Sequence, residues 1–222
     1  ILMAAVSGLS TIDRRKAALK RHIWRPDRFR QLLDRYSGKS LVPETRAALL
    51  AQAATVAPDV LIENAGTHVG LRSKAEITTR LHALQEDAAA APISTEQVDI
   101  LAAILAQKGS STAALRKLRE IEADLPSIGP ALDRMEKRLE ALATHGVDVD
   151  QLDFEGSYGR TTLEYYDGFV FGFYAEGRSD LPVVASGGRY DALTEVLGQG
   201  RSIPAVGGVI RPELVLALKE GF

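Results

Sequence analysis

No cysteine occurs among the 222 residues, which excludes disulfides, thiolate nucleophiles and cysteine-type zinc sites. A surplus of either charge is missing too: 27 Lys and Arg stand against 29 Asp and Glu, a formal net charge of −2. That balance gives no global basic field, so nucleic acid is not an expected partner. The four histidines, His22, His68, His82 and His145, include no His-x-x-x-His pair, and no metal site is expected from them. Walker-type loops, Gly-x-Ser-x-Gly and paired catalytic carboxylates in a convincing context are absent as well. The first nine residues are apolar, but Arg14-Arg15-Lys16 follows them, the reverse of a signal peptide. A cytoplasmic protein with no targeting segment is the expectation, and the opening Ile1 reads as a point partway through a longer gene product.

What is present is a soluble globular composition, 45% hydrophobic and 25% charged, with no membrane association expected. Ser10-Thr11-Ile12-Asp13 can cap a helix reaching Trp24, with Ile12, Leu19 and Ile23 on one side and a dense basic face beside them. Phe29, Leu32, Leu33 and Tyr36 share a side of the next helix, which Gly38 stops. Another helix is expected over 43–56, with Pro43 suited to its first turn. Ser73-Lys74-Ala75-Glu76 and Ser94-Thr95-Glu96-Gln97 fit the capping box, and each opens an amphipathic run. Helices over 112–123 and 126–145 follow, and no strand is expected before residue 146. The basic run 14–30, interleaved with Asp13 and Asp27 and followed by Asp34, reads as a solvated face or a subunit contact rather than a phosphate site.

From Gly146 the pattern changes to strands. Val147, Val149, Leu152 and Phe154 alternate with polar residues, and a turn is expected at 155–159. Residues 163–174 are rich in aromatic and branched side chains, 181–185 form a short apolar run, and Gly187-Gly188 should end that strand. A short helix over 190–197, a strand over 203–210 and a helix over 212–219 complete an α+β layout.

Three runs carry chemical information: Glu164-Tyr165-Tyr166-Asp167-Gly168-Phe169-Val170-Phe171, Ser186-Gly187-Gly188-Arg189-Tyr190-Asp191, and Pro204-Ala205-Val206-Gly207-Gly208. Singly, each has a structural explanation: packing aromatics, a tight turn, and an Arg189–Asp191 pair. In this order and spacing they resemble the latter part of the catalytic fold of class II histidyl-tRNA synthetases. The resemblance is specific over 163–218. It implies an antiparallel sheet with flanking helices, a partial class II core, joined to a mostly helical insertion. The implied boundaries are 1–38 for the helical part of the core, 39–125 for the insertion and 126–222 for the helix, strands and a motif-3-like end. It also implies a histidine-like pocket, with Tyr165, Tyr166 and Gly168 on one wall and Gly187, Gly188, Arg189 and Tyr190 on the other.

The departures point away from catalysis. The synthetases read Arg-Gly-Leu-Asp-Tyr-Tyr-Thr-Gly where this chain has Thr161-Thr162-Leu163-Glu164-Tyr165-Tyr166-Asp167-Gly168, and Arg160 is one residue out of register. Motif 3 ends Gly-Leu-Glu-Arg-Leu in the synthetases but Arg211-Pro212-Glu213-Leu214-Val215 here. Leu214 cannot neutralise developing phosphate charge. Motifs 1 and 2 are not among these residues, and with Phe222 directly after the motif 3 helix no anticodon-binding module is expected. These features resemble the regulatory-subunit family of short-form ATP phosphoribosyltransferases, required for the first step of histidine biosynthesis. That resemblance implies no catalytic residues, no cofactor, the short-form catalytic subunit as partner, self-association within a hetero-oligomer, and histidine as ligand. A histidyl-tRNA ligase fragment, or a scaffold with a vestigial pocket, stays open on sequence. Without motif 2, the strands should expose backbone edges and an apolar face.

Overall fold

The computed structural model describes residues 1–67, 69–159 and 166–220. They fall into two compact units, Ile1–Ile23 with Asp27–Gly156, and Trp24–Pro26 with the described part of Ser157–Phe222. The first unit is helical: α1 Leu2–Ser7, α2 Asp13–Arg21, α3 Pro26–Tyr36, α4 Glu44–Ala53, α5 Pro58–Asn64, α6 Lys74–Ala89, α7 Thr95–Ala106, α8 Ser111–Glu122 and α9 Gly129–Thr144. Its core is built from the apolar stripes of these helices. Leu19 of α2, Phe29 of α3, Leu101 and Ile104 of α7, Leu118 of α8 and Leu132 of α9 are all buried.

Capping follows the sequence in part. Ser73 and Glu76 form both halves of a capping box at α6. At α7, Ser94 Oγ accepts from the Gln97 N–H at 3.2 Å, but the Gln97 amide turns away to Ser10, whose N–H it accepts at 3.1 Å. Ser10 is thus occupied, and the N-cap of α2 is Ile12, without a side-chain cap. Ser94→Ala is expected to cost about 1 kcal/mol in urea denaturation, the usual value of such a cap. Gly38 (φ +77°) takes the left-handed turn that stops α3. His145 closes α9 through Nδ1 to the Ala141 carbonyl at 2.8 Å.

The expectation of no strand before residue 146 is corrected. β1, Lys108–Ser110, pairs antiparallel with β2, Asp153–Glu155, and Lys108 meets Glu155 across the ladder at 3.2 Å. A Lys-Gly-Ser segment has no apolar alternation to announce it. Its partner is also shorter than expected, because Val149–Gln151 form a 3₁₀ turn instead of extended chain.

The second unit is a three-stranded antiparallel sheet, β3 Val170–Phe173, β4 Ala185–Arg189 and β5 Val206–Ile210, in the order β3-β4-β5. α10, Asp191–Leu197, connects β4 to β5, and α11, Pro212–Glu220, follows. Gly187 and Gly188 do not end a strand, as expected from sequence; they are the middle of β4, paired to β3 on one side and β5 on the other. Residues 181–184 precede that strand. The apolar edge is present: Val206, Val209 and Ile210 of β5 are 57%, 59% and 66% exposed.

Candidate functional site

The middle of β4 is glycine because its neighbours leave no space there for side chains. A Cβ on Gly187 would lie 2.3 Å from the Gly207 carbonyl oxygen and 2.6 Å from the Phe171 ring. On Gly188 it would lie 2.6 Å from the Phe169 carbonyl oxygen and 2.8 Å from the Tyr166 ring. Both glycines therefore allow close approach of the protein's own strands and aromatic rings. Phe169, Phe171 and Phe173, at alternate positions, form a ring ladder with centroids 6.1 and 5.8 Å apart.

At the C-terminal end of β4 the site residues converge. The N–H groups of Asp167 and Gly168 both donate to the Arg189 carbonyl, at 3.0 and 3.2 Å, and the Arg189 N–H donates to Phe169 O at 2.9 Å. These bonds strap residues 167–169 to the strand. Tyr166 is buried, with its ring 6.0 Å from that of Tyr190. Gly168 lies against the Arg189 stem, where a Cβ would come within 2.6 Å of the Arg189 Cβ. Tyr190 places its hydroxyl over Gly207. Of the seven residues predicted from sequence, Tyr166, Gly168, Gly187, Gly188, Arg189 and Tyr190 form this one cluster. Tyr165 lies outside the described residues, as do Arg160, Thr161 and Glu164.

Electrostatics organise the same corner. Arg189 donates from Nε to Asp191 Oδ2 at 2.8 Å, with Nη2 at 2.7 Å from the same oxygen. Asp191 Oδ1 accepts from the Ala205 N–H at 2.9 Å. The Arg189 guanidinium, and then the Ala205 amide, hold the Asp191 carboxyl below the usual carboxylate range. Asp167, to which sequence reasoning gave no role, caps α10 by accepting from the N–H groups of Asp191 and Ala192 at 3.1 and 2.6 Å. Nothing local signals this, because the cap residue is 24 positions away from its first donor. Leu214 sits in the first turns of α11, after Pro212. Among the described residues no group of three or more His, Asp or Glu is placed to hold a metal ion. No helix among them is long and apolar enough to cross a membrane.

A family model described as histidyl-tRNA synthetase matches residues 32–215. The ATP phosphoribosyltransferase regulatory subunit of Brucella anthropi is 33% identical over 172 residues, 75% of this chain and 45% of that protein. The regulatory subunits of Brucella canis and Brucella suis are 32% identical over the same length. The chain spans about half the length of the curated relatives it matches. With the family model covering most of its length and the Tyr-Gly and Gly-Gly-Arg-Tyr runs folded together, the chain belongs to the histidyl-tRNA synthetase family.

Proposed function

We propose that this chain is part of a non-catalytic regulatory subunit of a short-form ATP phosphoribosyltransferase. The observation that carries the reading is Leu214: the family's phosphate-clamping position is aliphatic in a chain whose curated relatives are named regulatory subunits. Without that charge the adenylation transition state loses its stabilisation, while an amino-acid pocket does not depend on it. A pocket that binds histidine differently in two quaternary states is sufficient to shift the balance between them, and so to transmit feedback inhibition to a catalytic partner. In this reading the pocket belongs to Tyr165, Tyr166, Gly168, Gly187, Gly188, Arg189 and Tyr190, the glycines letting the aromatic rings and the Arg189 stem pack close, with Asp191 fixing the Arg189 fork. Residues 39–125 serve as the helical insertion, and the subunit works in the cytoplasm, paired with itself inside the hetero-oligomer.

The test is Arg189→Glu in the full protein, assembled with the catalytic subunit. The expected result is at least about a tenfold rise in the histidine concentration needed for half inhibition, within the usual range of allosteric coupling, with an unchanged complex mass. Unaltered histidine sensitivity would overturn the assignment of this pocket.

A further inference from the structure

We infer that the helical unit binds an organic phosphate, of the nucleoside-diphosphate type, in a cleft between α2, α3, α4 and α6. The cleft holds about 440 Å³, the size of a small-molecule site. Five arginines line it, Arg14, Arg28, Arg35, Arg46 and Arg80, against one carboxylate, Asp87. That carboxylate is already engaged. Its Oδ1 accepts from Arg15 Nε, and its Oδ2 accepts from Arg35 and Arg46, each at 2.7 Å. Arg15, buried behind the cleft, shares Asp87 with Arg35 and Arg46, so one carboxylate serves three arginines and the lining carries an excess of positive charge.

Convergent guanidinium groups repel one another, and low-dielectric walls concentrate their field, so a multiply charged oxyanion is the ligand that lowers the energy of this arrangement. Planar guanidinium forks fit phosphate oxygens in particular. The remaining wall is apolar: Leu49, Ile77 and Leu84 line the same space and suit the uncharged body of the ligand. The inference uses only this unit and does not depend on the regulatory reading.

The experiment is calorimetric titration of the full protein with ADP at physiological salt, repeated with inorganic pyrophosphate. Saturable ADP binding, tighter than that of pyrophosphate, is expected. Arg14 and Arg80 are exposed, so Arg14→Glu/Arg80→Glu should keep the parent melting temperature. It should weaken ADP binding by about tenfold or more, the value of a charged hydrogen bond. Arg80→Gln alone, should the double variant not fold, is expected to shift affinity in the same direction. Absence of ADP saturation, pyrophosphate binding as tight as ADP, or ADP affinity untouched by either variant would each overturn the inference. So would retention on heparin that ADP does not compete, which would indicate a polymeric anion.

Discussion

Asp87→Ala is expected to destabilise the helical unit by about 3–5 kcal/mol, the cost of leaving a buried charge without its partner. The stranded group is Arg15, which is 6% exposed and whose Nε donates to Asp87. Arg15 also donates to the carbonyls of Asp87, Ala90 and Ala91, so one guanidinium satisfies orphan acceptors at the end of α6. A carboxylate at a helix C-terminus is unfavourable by the helix dipole, and here three arginines offset it. Urea denaturation of the variant would show the loss; a midpoint within error of the parent would contradict it. An Arg15→Met/Asp87→Leu double variant should recover much of the stability, because it removes the most deeply buried cation together with its carboxylate, while Arg35 and Arg46 have access to water. The pH dependence has a fixed sign. Burial opposes ionisation of Asp87, but hydrogen bonds from Arg15 and Arg35 outweigh it and hold its carboxyl below the ordinary value. The unfolded chain therefore takes up this proton at higher pH than the folded one. The contribution is present above ~4, the ordinary carboxylate value, and drains as pH falls through the depressed folded value.

In the sheet, Gly187→Ala is expected to cost about 3 kcal/mol, the upper end for overpacking. The new Cβ would meet backbone, the Gly207 carbonyl at 2.3 Å, which cannot move without breaking the β4–β5 ladder. Gly208→Ala is the matched control. There the nearest atom is Ser186 O at 3.2 Å, a contact that a small shift relieves, and the expected cost is a fraction of the first. Thermal melts of the two variants should separate clearly. Equal melting temperatures would mean that close strand approach is not what requires glycine in β4. The same substitution should loosen Tyr166 and Arg189, and with them the proposed histidine response.

Helical periodicity was the most legible property of this chain. Phe29, Leu32, Leu33 and Tyr36 share a stripe, and all four are buried. The motif cluster was legible too, since Tyr166, Gly168, Arg189 and Tyr190 do meet, and Asp191 does hold Arg189 as its position two residues on allowed. Three features were hidden by sequence distance. β1 has no alternation and finds its partner 45 positions later. Gly187-Gly188 reads locally as a turn, and only the strands on either side make it the centre of a sheet. Arg15 reads as part of a solvated basic face when weighed against Asp13, Asp27 and Asp34, yet its partner is Asp87, on another helix. Propensity and local charge pairing carry no information about a contact 72 residues away.

The central claim is that the full protein regulates a catalytic partner and does no adenylation itself. Its most direct test is mass determination after mixing the full protein with short-form ATP phosphoribosyltransferase catalytic subunits, with phosphoribosyl transfer assayed in the same samples. The account predicts a stable hetero-oligomer whose activity exceeds that of the catalytic subunit alone and falls when histidine is added. No complex and no activation, together with histidine-dependent ATP–pyrophosphate exchange by the full protein alone, would contradict it and return the chain to the ligases of its family.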